Sequence, residues 1–455
     1  MSDSTSASAR PAPTAAAAAA TNRSAELYAR ALKVLPGGVS RNTVLRDPHP
    51  IYADFARGCR VTDLDGVERI DFANNMASLI HGHACPEIIE AVSAQLARGT
   101  AFTLATEIEV RFAEYLCGRS PSFENLRFVN SGTEAIMVAL KAARAYTNRT
   151  KIAKIEGAYH GVYDYAEVSQ APEPSNWGDA SRPNSVPLVL GTPESTLQDV
   201  VVIPFNDPER AIDILNQHAD ELACVLLDLM PHRAGLTPAD PAFVRALRDW
   251  TTRRGALLVL DEVITFRSEY GGLQSRYELN PDLTALGKMI GGGFPIGAVA
   301  GRSDVLDVMN PRREGKLLFP HSGTFSANPI SITAGLAAME NFDAGAVTRL
   351  NKLAERAMQG IDEAIRETGV AACVTGTGSM FRVHMKAQPP RNYREAYLNA
   401  EEKRRLALLL NHIFDRGCMI INTCTATLST PMTESEVDAL VAALRTGFER
   451  IAANT

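Results

Sequence analysis

The chain is expected to fold as an α/β protein, with a mainly parallel sheet flanked by helices and a smaller α+β domain beside it. Three observations lead there. From about residue 75 to 330, short apolar runs alternate with helix-period segments, as strand–helix–strand units require. Beyond about residue 331, helical patterns surround one strand-like run, Met380 to His384. The length of 455 residues, 45% hydrophobic and 22% charged, is ordinary globular composition with enough material for a substantial core.

Residues 1 to 22 are Ser, Ala, Pro and Thr almost throughout, and this segment lacks the large side chains that offset ordering entropy. It is expected to be a disordered or locally helical tail. The apolar spacing from Asn22 to Val34 predicts a helix that Pro36-Gly37-Gly38 stops. Short strand-like runs follow, including Arg60 to Phe72, with Asp65-Gly66 as a hairpin turn. Residues 23–74 are expected to join residues 331–455 in the small domain, leaving 75–330 as the large one.

Within the large domain the strand candidates are Leu126 to Asn130, Lys151 to Ile155, Ala223 to Leu229, Ala256 to Leu260 and Leu283 to Leu286. In such sheets ligands gather beyond the carboxyl ends of the strands. A long helix is expected after residue 331, another from about Ala400 to Arg416, and a last one from Glu434.

Lys and Arg number 46 against 52 Asp and Glu, a net charge of −6, which gives no support to nucleic-acid wrapping or to docking on anionic lipid. Small molecules are the expected partners. Seven cysteines without a C-x-x-C pair argue against a zinc cluster or a disulfide scaffold and fit a reducing compartment; no metal is expected. No apolar run approaches the ~20 residues of a membrane span, and no secretory signal pattern opens the chain. The protein is read as cytoplasmic.

Three local signals carry chemistry. Leu126 to Asn130 runs into Ser131-Gly132-Thr133-Glu134 and an apolar-periodic helix, a turn whose free N–H groups and hydroxyls suit a phosphate. Taken alone, such a turn is more often a helix cap. Leu257 to Leu260 ends in Asp261-Glu262-Val263. A strand-end aspartate is commonly satisfied by loop amides, but it can instead hold a heterocyclic nitrogen protonated. In Leu286-Gly287-Lys288-Met289-Ile290-Gly291-Gly292-Gly293, a lysine that elsewhere would lie on the surface is followed by glycines that permit a crowded site, where a desolvated amine can form a Schiff base.

Together these motifs resemble the class III, ornithine-type aminotransferases of pyridoxal-phosphate (PLP) fold type I, over nearly the whole chain after the tail. The resemblance implies that Lys288 forms the Schiff base and moves the proton, that Asp261 pairs with the pyridine nitrogen, and that Val263 packs on one ring face. Tyr159 of Tyr159-His160-Gly161 is implied on the other face, with His160 and Glu262 behind the site. Ser131, Gly132 and Thr133 are implied at the phosphate, and Thr324 reaches it from the partner subunit of a homodimer.

Within the family the chain is most similar to glutamate-1-semialdehyde aminomutases and β-amino-acid aminotransferases, through its Ser-Gly-Thr-Phe-Ser-Ala-Asn-Pro run and its Lys-x-x-Gly-Gly-Gly stretch. In that branch an N-terminal arginine grips the substrate carboxylate, which implies Arg41. Several departures stand out. Asp228-Leu229-Met230-Pro231-His232-Arg233 replaces the Glu-Pro…Gln run of many members, and Asn422 to Thr427 contains neither the arginine of some branches nor the acidic residue expected of an aminomutase. Arg41 and Arg233 are therefore read as an anion-binding wall; for Arg233 an ion pair with Asp228 or another acidic neighbour is the alternative. The expected activity is amino transfer from a carboxylate-bearing amine, such as a β-amino acid, to a keto acid. Intramolecular amino transfer, racemisation and a non-catalytic scaffold are the rivals.

Overall fold

The computed structural model describes residues 22–453. The expected tail lies outside the described residues except for Asn22, whose side chain caps the helix Arg23–Ala31 by accepting from the Ala25 N–H. The chain divides into two compact units. Among the described residues the first comprises residues 22–56 and 60–69. Its described part holds that helix, two short 3-10 turns and the expected hairpin, closed where the Asp63 N–H donates to Val67 O at 3.0 Å. The second unit is the rest of the chain.

The second unit is built on a seven-stranded sheet: β1 (Asn125–Val129), β2 (Lys151–Ile155), β3 (Val200–Ile203), β4 (Leu222–Leu227), β5 (Leu257–Asp261), β6 (Leu283–Gly287) and β7 (Gly297–Gly301). The strand order is β1-β7-β6-β5-β4-β2-β3, with β7 antiparallel to both neighbours and the other pairs parallel. Two of these strands, β3 and β7, were not among the expected ones. β7 reads Gly-Ala-Val-Ala-Gly, too poor in β-branched residues to look like a strand. Its small residues suit a crowded place, since Gly297 passes beside the backbone carbonyl of Ser131.

Side-chain alternation along β5 assigns the two faces. Leu257 and Val259 join a core with Ile136, Ala139, Leu140 and Ala143 of helix α1 (Gly132–Thr147). Leu258 and Leu260 join another with Phe243, Leu247 and Trp250 of helix α2 (Pro241–Arg254). Burial on both faces explains why these strands read as unbroken apolar runs. Continuing the period of two places Asp261 on the α1 side, the face of Val259.

Past the large sheet come α3 (Pro329–Asn341) and α4 (Ala344–Thr368), where one long helix was expected. Phe342 leaves helical geometry, and Asp343 starts the new helix by accepting from the Ala346 N–H at 2.7 Å. A three-stranded antiparallel sheet, β8 (Cys373–Thr377), β9 (Met380–His384) and β10 (Thr425–Thr427), follows with α5 (Ala400–Asp415) and α6 (Glu434–Ala452). On β9, Phe381 and Val383 face a core with Leu350 and Ile361 of α4 and Leu440 and Leu444 of α6. The alternate residues, Arg382 and His384, reach the segment after β4, at His232 O and Gly235 O. No helix among the described residues is long and apolar enough to cross a membrane.

Candidate active site

The segments singled out by sequence meet beyond the carboxyl ends of β1, β5 and β6. Ser131 caps α1, its hydroxyl oxygen accepting from the Glu134 N–H at 3.1 Å, while the Glu134 carboxylate accepts from the Asn130 N–H at 2.7 Å. This leaves the N–H groups of Gly132 and Thr133 at the open, positive end of a 16-residue helix. A Cβ on Gly132 would stand 2.9 Å from Val263 Cγ1, and one on Gly287 would stand 3.3 Å from both Gly132 Cα and Val263 Cγ1. The phosphate-type turn, the loop after Asp261 and the residue before Lys288 are thus in van der Waals contact. Gly161, with a φ of +90°, lets the Tyr159-His160 loop close onto Thr133.

Asp261 is buried, and both of its carboxylate oxygens are engaged. Oδ1 accepts from the Val263 N–H at 3.0 Å, and Oδ2 lies 2.7 Å from His160 Nδ1. Burial lowers the His160 pKa despite its hydrogen bond to Asp261, so the imidazole is neutral and Nδ1 carries the donated proton. Its Nε2 is buried without a hydrogen-bond partner. Asp228, at the end of β4, accepts from the Met230 N–H at 2.8 Å; burial and then the charge of Asp261 hold its carboxyl well above the usual range. Glu262 points elsewhere. It accepts from the Leu273 and Gln274 N–H groups at 2.9 and 2.7 Å, shaping the following loop, and burial pushes its pKa up to about 7.

Lys288 follows β6 in the left-handed region, with a φ of 49° that a lysine rarely adopts. Desolvation lowers its pKa, against the opposing charges of Asp261 and Asp228. Tyr159 exposes its ring beside this cluster, 43% accessible. Arg233 is half-buried in the short turn His232–Ala234, and no ion pair joins it to Asp228. Thr324 is exposed in the loop before α3. Arg41 is exposed in the first unit, on extended backbone before the turn Asn42–Val44.

Two residues here escaped the sequence reading. Lys154 on β2 is wholly buried, its ammonium donating to the carbonyls of Ile155, Ala158 and Val168 at 3.3, 3.2 and 2.7 Å; burial brings its pKa down to about 7. It thereby ties down both ends of the segment carrying Tyr159 and His160. Arg382 on β9 is the other. Neither strand differs locally from one with a solvated charge, so no sequence signal marked them.

A phosphate-type helix terminus, an acceptor for a protonated ring nitrogen, an exposed aromatic face and a desolvated amine form a donor set that fits PLP. The glycine-lined contact between Gly132, Val263 and Gly287 and the unpartnered His160 Nε2 are consistent with a ring lodged there. Among the described residues no cluster of His, Cys, Asp and Glu could hold a metal ion.

The family model for class-III aminotransferases matches residues 43–440. The chain is similar to a glutamate-1-semialdehyde 2,1-aminomutase of Methanothermobacter thermautotrophicus, 38% identical over 82% of this chain and 86% of that protein. Among solved structures it is similar to an omega-transaminase from Sphaerobacter thermophilus, 46% identical with a TM-score of 0.92, covering 97% of this chain and 100% of that one. It is also similar to a β-phenylalanine aminotransferase from Variovorax paradoxus, 33% identical with a TM-score of 0.83, covering 93% of each chain.

Proposed function

Since the chain belongs to the class-III aminotransferase family and is a PLP-dependent enzyme of fold type I, we propose that it moves an amino group from a carboxylate-bearing amine to a keto acid, with Lys288 as the catalytic amine. The donor we infer is a β-amino acid or a related amino acid. The observation that carries this reading is the placement of Lys288: a desolvated amine on left-handed backbone, within the field of two strand-end carboxylates. The 46% likeness to an omega-transaminase supports amino transfer between two substrates.

When bound, PLP supplies an aldehyde that exchanges amines and a ring that withdraws electrons from the amine-bearing carbon. With the cofactor in place, Lys288 Nζ, made less basic by burial, would take the proton from the amine-bearing carbon and deliver it to the carbon that carried the aldehyde, and would carry it the other way in the second half-reaction. Asp261 would keep the ring nitrogen protonated, and His160 holds Asp261 in orientation through Nδ1. Gly132 and Thr133 would hold the phosphate with their N–H groups, with the Ser131 hydroxyl beside them. Val263 and Tyr159 would enclose the ring. In this proposal Arg233 binds the substrate carboxylate, because a guanidinium meets it through two parallel hydrogen bonds, and Arg41 is assigned to substrate binding on the resemblance alone. Thr324 would reach the phosphate held by a second copy, which makes a homodimer the proposed active unit. A cytoplasmic location belongs to the same reading, supported by cysteines scattered along the chain without a C-x-x-C pair.

Intramolecular amino transfer is the second reading, favoured by the 38% identical aminomutase relative; racemisation would use the same residues. A single-substrate half-reaction separates them. PLP-loaded protein is mixed with one amine at a time, including β-alanine-like, α-amino and glutamate-semialdehyde-type compounds, and cofactor absorbance is followed without keto acid. Stoichiometric conversion of the cofactor to its amine form with release of a carbonyl product is the expected result. Turnover of one compound to an isomer, with the cofactor returning to its starting form, would replace amino transfer by the mutase or racemase reading.

A further inference from the structure

Two guanidinium groups, Arg233 after β4 and Arg382 on β9, act on each other electrostatically, and neither has an ion-pair partner among the described residues. Among the described residues Arg233 has neither a side-chain hydrogen bond nor an ion pair, yet its charge acts on Tyr159, His232 and Arg382. Arg382 is only 5% exposed. It donates one hydrogen bond, Nη1 to His232 O at 2.9 Å, and leaves its buried Nε unpartnered.

Among the described residues no carboxylate acts on Arg382. The charges acting on Arg382 are the Arg233 guanidinium, which opposes it, and the Cys424 thiol, whose own pKa burial pushes up to about 12, so that it is neutral. His232 lies between the two arginines and is kept neutral, its pKa brought down to about 3 by burial and then by Arg382, Arg233 and Lys288. Its Nε2 is within 3.0 Å of the Thr423 hydroxyl, which in turn is 2.9 Å from the Thr425 hydroxyl. Thr425 is the strand partner of Arg382. Arginine-free Asn422 to Thr427 thus receives its guanidinium from the neighbouring strand.

A buried cation without a partner is costly, and two that repel each other are costlier still. One carbonyl hydrogen bond does not require a guanidinium with five donors. We propose that Arg233 and Arg382 form a carboxylate subsite, Arg382 being a specificity-determining residue for the anionic substrate. This rests on the assignment of Arg233 to substrate binding and extends it. The ligand class is a carboxylate of the amino or keto acid, held between the Arg382 fork and the freer Arg233.

Glutarate, which cannot donate or accept an amine, is the probe, with uncharged glutaramide as control. Binding to the PLP-loaded protein is measured by calorimetry and by the ligand-induced rise in Tm. Glutarate should bind saturably and glutaramide should not. Arg382→Met and Arg233→Met should each weaken glutarate at least about ten-fold, the loss expected for one charge-assisted bidentate contact, and Arg382→Lys should weaken it less. Ligand-free Arg382→Met should melt no lower than wild type, because it removes an unpaired buried charge. Unchanged glutarate affinity in Arg382→Met, or a lowered Tm with affinity retained, makes Arg382 a structural residue and overturns the subsite. Should Arg382→Met not fold, Arg382→Lys and Arg233→Met carry the test, and unchanged affinity in both overturns it equally. If wild type transfers no amino group but binds glutarate through both arginines, the subsite stands and the proposed function falls. If amino transfer occurs and Arg382→Met binds glutarate like wild type, the subsite alone falls.

Discussion

His160 Nδ1 lies 2.7 Å from Asp261 Oδ2, although the two residues are 101 positions apart in the chain. The imidazole is wholly buried and neutral, and the other carboxylate oxygen is held by the Val263 N–H, so Asp261 has one orientation. His160→Leu would leave Oδ2 without its donor. The expected loss is about 1.5–3 kcal/mol, roughly ten- to hundred-fold in kcat/KM, with a shifted absorbance of the bound cofactor. Wild-type kinetics and spectrum in a folded variant would refute the orienting role.

Gly132→Ala tests the contact that joins the phosphate-type turn to the loop after Asp261. The new methyl group would stand 2.9 Å from Val263 Cγ1 and 3.0 Å from Cγ2. Overpacking of this kind costs about 1–3 kcal/mol. It should appear as weaker PLP binding in a fluorescence titration, and adding Val263→Ala should recover part of it. A double variant no better than Gly132→Ala would place the damage elsewhere.

Lys288 sits at a φ of 49°, which costs an L-residue about 1–2 kcal/mol. Lys288→Gly and Lys288→Ala should both abolish amino transfer, but the glycine variant should be no less stable in urea titrations of the apo-protein. A clearly more stable alanine variant would show that the strain is absent.

Lys154 links stability to pH. Its pKa is about 7 in the folded chain against an ordinary 10.5, so between these values the unfolded chain binds more protons and stability rises with pH, by at most about 1.4 kcal/mol per unit. Below pH 7 the penalty is fully present. Lys154→Met should flatten the difference in unfolding free energy measured between pH 7 and 9.5. Parallel curves for the two proteins would mean that Lys154 keeps its proton throughout.

Arg41→Ala should raise KM for anionic donors several-fold with little change in kcat, the pattern of lost uniform binding. Kinetics identical to wild type with every anionic substrate would remove Arg41 from the site.

Legibility in the sequence followed chemical type. Lys151–Ile155 and Met380–His384 were readable to the residue as short runs with apolar side chains, Ile152 and Ile155 in one and Met380, Phe381 and Val383 in the other. Gly297–Gly301 was not, since its small side chains answer to the close passage of Ser131, a neighbour 166 positions away. The helix after residue 331 read as one because Phe342 and Asp343 interrupt its period only locally. At the site, Asp261, Lys288 and the Ser131–Thr133 turn stood out because each follows a recognisable apolar strand.

The sequence by itself determined the layered α/β architecture, the strand ends where polar groups gather, and the residue types a PLP site needs. Those follow from local periodicity and from side-chain chemistry, which each segment carries alone. Tertiary structure decided which groups face each other: His160 against Asp261, Lys154 beneath the Tyr159 loop, and Arg382 beside Arg233 without an anion. Burial and pairing are properties of neighbours brought from distant positions, and they set the charge each group carries.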